Sequence, residues 1–426
     1  MKPLSRRQFF TVSGTLCGTV LLANATAHGQ NQGAPFRRTS KEVFIPSAND
    51  TGVFPGFVTY IDKDKPTILH RSGWVDASDT YDNFSEMTSF DNGVTWTEPK
   101  MAVKAIPVDG GLIRFIENAA YFDEDSGVLT TFVSKSFYPN GKFDSNQARR
   151  VLITRSIPKT GKILDEQELD FGRRSGVSVS FTFPIKTTTG RLIVPVFSAQ
   201  TNDAGEFVHH PVSKTNIYET YMMLGDPQSD GSVKWSLSEA IKADDERSTR
   251  GFSESTPVQL NDGRIATLSR GSNARAKDTL PGYKWLCFSK DDGSNWSEPM
   301  PMTCSDGSEI ESSATGSALI RSVKNGKLYF VGNLCADGKR ADGNWPRSPL
   351  HIAEVDESTV SIIRDSITII DQRDDTDTDR TQISNFRYYQ DRETNEIVIF
   401  ATRFGENETK NWKRADYYRY RVAIID

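Results

Sequence analysis

Nine polar or charged residues recur at one kind of place in this chain, the ends of short apolar hairpins. Arg71 and Asp76 follow the first hairpin, and Asn118 and Lys135 bracket the second. Gln200 ends the third, Glu254 and Arg270 flank the fourth, Asn333 ends the fifth and Arg403 the sixth. Guanidinium groups present rigid forks of donors to carboxylates and hydroxyls, and amides donate and accept. If these ends meet, they suit an anionic or heavily hydroxylated ligand held in a concavity. Trp74 and Trp345 fall in rim segments and offer flat faces to a sugar ring, whereas Trp285 sits inside a strand and reads as core.

Other chemistries find little support. No Cys/His cluster has zinc-ligand spacing, and the adjacent pair His209–His210 would point to opposite faces of a strand. The acidic run Asp371–Arg380 holds five aspartates but fits no calcium-loop spacing, so it reads as a solvated loop. No metal or cofactor is expected. The formal charge is −5, which gives no basic excess to attract nucleic acid. Four cysteines in 426 residues exclude a disulfide-built scaffold, and Cys287 lies in the apolar run KWLCFS as a core thiol.

The elements that must position these residues are strands. Helical periodicity is nearly absent, and one hairpin pattern starts at Gly56, Asn118, Phe183, Ser255, Gly316 and Ser384, a period of about 65 residues. That period leaves room for two further strands per unit, so the expected fold is all-β, a six-bladed β-propeller of four-stranded antiparallel blades. Two outer turns share the pattern Ser-x-Asp-x-Gly-x-x-Trp, at Ser89–Trp96 and Ser289–Trp296, and a degenerate copy ends at Trp235. Asp accepts amide bonds within such a turn, Gly takes a positive φ and Trp packs on the blade, so these aspartates are structural. The last unit lacks one strand, which Lys41–Ser47 can supply beside the C-terminal run YYRYRVAIID. The ring is then closed by N- and C-terminal strands in the last blade.

With these motifs the chain resembles the sialidase (neuraminidase) superfamily of six-bladed propellers, across most of residues 41–426. The Ser-x-Asp-x-Gly-x-x-Trp turns are that family's Asp-boxes. The resemblance implies an acid/base aspartate on the loop after the first hairpin, where HRSGWVD supplies Arg71 and Asp76, with Asp79 behind it. It implies a glutamate before blade four and an arginine after its Asp-Gly turn, here Glu254 and Arg270. It also implies a later arginine for the substrate carboxylate, here Arg347. Two positions depart from the family: Val53 stands where its first arginine belongs, and Ile383 where its nucleophilic tyrosine belongs, with Tyr388 and Tyr389 displaced along the strand.

The resulting expectation is an exo-acting glycoside hydrolase for an acidic or deoxy sugar. Asp76 would be the acid, Glu254 the base or nucleophile, and Arg71, Arg270, Arg347, Asp79, Lys135, Asn118, Trp74 and Tyr388 would bind substrate. Two alternatives stand beside it. One is a polysaccharide lyase using His70 or Tyr388 as base against a uronate; the other is a glycan-binding propeller without turnover. Residues 1–27 read as an export signal. Lys2, Arg6 and Arg7 precede an uncharged stretch and small residues to Ala27, and SRRQFF resembles the twin-arginine type. Residues 28–40 read as a flexible leader, and the protein is expected to be a periplasmic or secreted monomer that acts on a glycan, without a membrane anchor.

Overall fold

The computed structural model describes residues 35–179 and 181–425, so the export signal lies outside the described residues. Six antiparallel sheets follow one another around a ring. Apart from a single 3-10 turn at Arg364–Ser366, the described elements are strands. The inner strands are Val53–Tyr60, Gly111–Asp123, Ile185–Lys186, Ser253–Gln259, Ala318–Arg321 and Phe386–Gln390, one per blade.

Period-two patterning in these blades buries one set of side chains against each neighbouring blade, so the core is divided into layers between blades. Val194, Val196 and Met223 of blade three meet Phe132 and Ile153 of blade two, for example. Val398 and Phe400 of blade six meet Val53, Val58 and Ile68 of blade one, so the last layer has the same construction as the others.

The ring closes as expected, in blade six, whose strand order puts the N-terminal strand outside the C-terminal one. That outer strand runs Phe36–Ile45 against Tyr417–Ile424. It starts five residues before Lys41, so residues 36–40 belong to the sheet and not to a leader. The reason is Phe36, which is buried and meets Tyr329 of blade five edge-to-face at 4.8 Å.

Both Ser-x-Asp-x-Gly-x-x-Trp turns fold alike. Ser89 Oγ donates to Asp91 at 2.8 Å, Gly93 N to Ser89 Oγ at 2.8 Å and Thr95 N to Asp91 at 2.8 Å. The second copy repeats these bonds with Ser289, Asp291, Gly293 and Asn295. The Thr95 hydroxyl and amide, helped by Ser89, hold the Asp91 carboxyl down at about 2, which fixes it as a turn acceptor.

The acidic run after Asp371 is not simply solvated. Asp371 and Asp377 turn inward onto the fully buried Arg403, whose side chain is 2% exposed, and Glu406 completes the cage at 3.0 Å. Arg38 and Lys41 of the outer strand also reach Asp371, so this cage ties the closing strand to blades five and six. Arg403 is therefore a structural residue and not a rim ligand. Replacing Arg403 with Met takes the shared guanidinium from three buried carboxylates, of which Asp371 alone keeps other cations. We expect a loss of about 3–5 kcal/mol, read from the urea midpoint of the variant against the wild type.

Candidate functional site

One cavity of about 730 Å³ opens at the rim where the inner strands begin. Phe54, Ser253 and Asn385 stand at or beside the starts of three inner strands, and all of them line it, with Ile116 from within a fourth. Gathering of hairpin ends at one rim was expected; which side chains arrive there differs in part.

Glu254, Arg270 and Arg347 meet at this cavity. Glu254 is the second residue of the inner strand of blade four, at a bulge between Ser253 and Thr256, and its φ is +47°. A left-handed glutamate costs backbone energy, and the bulge re-aims its side chain at the end of the neighbouring strand. There Arg270 Nη1 donates to Glu254 Oε1 at 2.5 Å. Arg270 also donates to the Asn344 side chain at 3.0 Å, and Arg347 Nε to the Asn344 carbonyl at 3.3 Å, so Asn344 joins the two arginines. Arg347 Nη1 donates to Gln382 at 2.8 Å.

Burial pushes the Glu254 carboxyl up. The charge and hydrogen bond of Arg270, with Arg347 and Lys284 beyond, outweigh it and hold the group below its ordinary value. Glu254 is thus kept ionised. Arg347 is pushed down to about 10 by burial and by Arg270, and Arg250 is lowered for the same two reasons. Three crowded guanidiniums repel one another, and an incoming anion would relieve that strain.

Asp79, and not Asp76, borders the cavity. The second strand of blade one runs Ile68–Ala77, and the hairpin turns at Ser78–Asp79, with Asp79 at φ +52°. Gly73 suggests a strand end four residues too early. It lies within the strand because the Phe84 ring packs where a side chain would stand, 3.1 Å from an added Cβ. The consequences run along the strand. Arg71 is buried in mid-strand over Phe57, pairs with Glu86 and donates to the buried Asn118 at 2.9 Å. Trp74 packs in the layer against blade six. Asp76 is 61% exposed and bonds Arg114 at 3.2 Å. The Asp79 tip is pinned by Tyr138 of blade two, whose hydroxyl donates to the Asp79 carbonyl at 2.7 Å.

The remaining expected residues also lie off the cavity. Lys135 pairs with Glu168 at 2.8 Å on the outer side of blade two. Asn333 is a buried brace that donates to the Pro349 carbonyl at 2.7 Å. His70 is fully buried against Tyr417 at 3.0 Å. Tyr388 lines a separate cavity of about 230 Å³ with Phe183 and Arg387. Val53 and Ile383 are core residues, so neither offers a functional group. Trp345 does line the large cavity, under Arg380 at 5.2 Å, and Trp285 is core.

Several cavity residues escape sequence reading: Arg149, His209, Lys214, Arg250 and Trp412. Arg250 had a usable signal. The approach to blade three, RSGVSVS, aligns with TRGFSES before blade four. In both a left-handed glycine packs on a neighbouring backbone, Gly176 on Arg149 and Gly251 on Tyr218, leaving no room for a Cβ. Blade four places charges, Arg250 and Glu254, where blade three has Ser175 and Val179.

In all, five basic side chains (Arg149, Lys214, Arg250, Arg270 and Arg347) face two carboxylates, Asp79 and Glu254, in a chain whose formal charge is −5. Among the described residues, Glu254 is the only carboxylate paired with any of the five. No group of three or more His, Cys, Asp or Glu able to hold a metal ion occurs among the described residues.

The ring of six antiparallel sheets is shared with glycosidase propellers. No protein-family model matches the chain, and no curated protein matches its sequence. Solved structures do. The intramolecular trans-sialidase of Ruminococcus gnavus aligns at 13% identity over 89% of this chain and 97% of its own, with a TM-score of 0.55. The NanB sialidase of Streptococcus pneumoniae aligns at 14% identity over 92% and 71%, with a TM-score of 0.53. The α-L-arabinanase of Penicillium chrysogenum aligns at 11% identity over 91% and 98%, with a TM-score of 0.55. The chain has the sialidase-like propeller fold.

Behind the cavity, Lys284 faces Arg270 across the strand pair and is wholly buried, donating to the carbonyls of Ser313 and Thr315. Burial and the Arg270 charge push its ammonium down to about 7 from 10.5. A lowered folded value means that the unfolded chain binds the extra proton between pH 7 and 10. Stability therefore rises with pH through that window. We expect Lys284→Met to flatten this rise, measured as urea midpoints of both proteins at pH 7 and pH 10.

Proposed function

We propose that the protein is an exported glycoside hydrolase that removes an acidic sugar from the end of a glycan. The observation that carries the reading is the excess of unneutralised cations around one cavity of a chain that is negative overall. Such a site concentrates anions and rewards a carboxylate with several charge-assisted hydrogen bonds. In this reading Arg250, Arg270 and Arg347 take the sugar carboxylate, which supplies the counter-charge that the three lack. Arg250 contributes the third guanidinium in a chain that has Val53 where the resemblance would place one.

Hydrolysis needs two carboxyl groups across the scissile bond. Glu254, kept ionised by Arg270, suits the nucleophile or base. Asp79, on the pinned hairpin tip at the mouth, suits the acid that protonates the leaving oxygen, a role for which Asp76 is turned away. The sialidase and arabinanase neighbours, glycosidases by name, support the reaction class. The export motif at residues 1–27 supports a site outside the cytoplasm. Trp345 and Trp412 give stacking faces at the mouth.

A second reading is elimination at a uronate, favoured by His209 and Tyr218 on the same wall as the cations. His70 and Tyr388 do not reach the cavity. The test is a panel of glycans with terminal uronic or sialic acids, followed by new reducing ends and by ultraviolet absorbance. We expect reducing ends without absorbance. Asp79→Asn and Glu254→Gln should each lower kcat by about 10²–10⁴-fold, while Asp76→Asn stays near wild type. Full activity in both of the first two variants would remove this assignment, and absorbance would select elimination.

A further inference from the structure

We propose that blades two and three build a second anion subsite on the same cavity. In it Arg149 and Lys214 take a negatively charged group, a carboxylate or a sulfate ester, on the sugar next to the one held by Arg270 and Arg347. The inference rests on reading the cavity as a glycan site.

Arg149 opens the third strand of blade two and is held there by its backbone. Its amide donates to Ser175 at 2.9 Å, and its main chain packs against Gly176 with no room for a side chain. Its guanidinium lies over Phe143 at 5.4 Å, and its buried Nε has no hydrogen-bond partner. The next residue along the strand points the other way and is neutralised, since Arg150 pairs with Asp170 at 2.8 Å. The nearby Arg173 pairs with Glu219. Of these three arginines the inward one alone is left without a carboxylate, and a buried donor without a partner is costly unless a ligand supplies one.

Lys214 comes from blade three. Its turn is built around the buried His210, whose Nδ1 accepts from the amides of Val212 and Ser213 at 3.1 Å, and whose carbonyl accepts from Lys214 N at 3.0 Å. The backbone of Lys214 sits at φ +59°, and its exposed side chain lines the cavity with no ion pair among the described residues. Asn216 and Asn146, bonded at 3.4 Å, fill the wall between the blades. Arg270 and Arg347 belong to blades four and five, so the two cationic groups rise from different parts of the ring around one hollow. A glycan with a single acidic sugar satisfies one group; a glycan with two adjacent anionic sugars satisfies both.

The test is calorimetric titration of the purified protein with three disaccharides. Each carries a terminal uronic acid, joined to a neutral sugar, to a second uronic acid, or to a sulfated neutral sugar. We expect the doubly anionic probes to bind about tenfold or more tightly than the first. The double variant Arg149→Gln/Lys214→Gln should abolish that gain, so that all three probes bind with similar affinity. Which of the two doubly anionic probes gains more tells carboxylate from sulfate. Lys214→Gln alone, at an exposed position, should remove part of the gain and carries the test if the double variant does not fold. Binding of the first probe with no preference in the wild type, or a preference that survives the substitutions, overturns the second subsite alone. Failure of all three probes to bind overturns both it and the glycan reading.

Discussion

Closure of the ring is the constraint on which the rest of the structure depends. Six sheets can share layers of core only if the last packs on the first, and the outermost strand of the last sheet comes from the opposite end of the chain. Phe36–Ile45 pairs with Tyr417–Ile424, and Arg403 with its three carboxylates locks that junction to blade five. A cage of this kind is a poor source of net stability, because desolvation of four charges offsets their attraction. It does specify one register, since each carboxylate has one guanidinium edge to meet. Only a closed ring brings Asp79 of blade one within the same hollow as Arg347 of blade five.

The hollow holds opposed electrostatic demands. Glu254 needs Arg270 to stay ionised in a poorly solvated place, and Arg270 needs Glu254 to relieve Arg250 and Arg347. One carboxylate cannot balance three guanidiniums, and Arg250 and Arg347 are lowered first by burial and then by the charge of Arg270. The left-handed backbone at Glu254 adds a local cost. On the proposed reading, an anionic occupant would offset the repulsion that folding had to hold.

The architecture could be read from sequence because its signals are local and repeated. A hairpin every 65 residues or so, and turns in which Ser, Asp, Gly and Trp have fixed geometric duties, do not depend on distant contacts. Glu254, Arg270 and Arg347 could be placed because each stands beside a strand end. Blade one misled for a specific reason: Gly73 looks like a terminator, yet it is the seat of Phe84, so the hairpin extends and the tip that borders the cavity is at Asp79. Arg149 and Lys214 gave no signal, because their direction is set by backbone packing between blades. Arg403 is at a hairpin end in sequence but inside the closing layer in space, where partners from Asp371 and Asp377 claim it.

Phe181 borders the large cavity, and its ring meets Arg387 at 5.0 Å and Phe183 edge-on at 5.4 Å, both of which line the small cavity at the other end. The axle of the wheel is thus blocked by an aromatic and cationic stack. A long polymer therefore has no passage through the middle of the ring. Anything that enters the hollow has to leave by the way it came in.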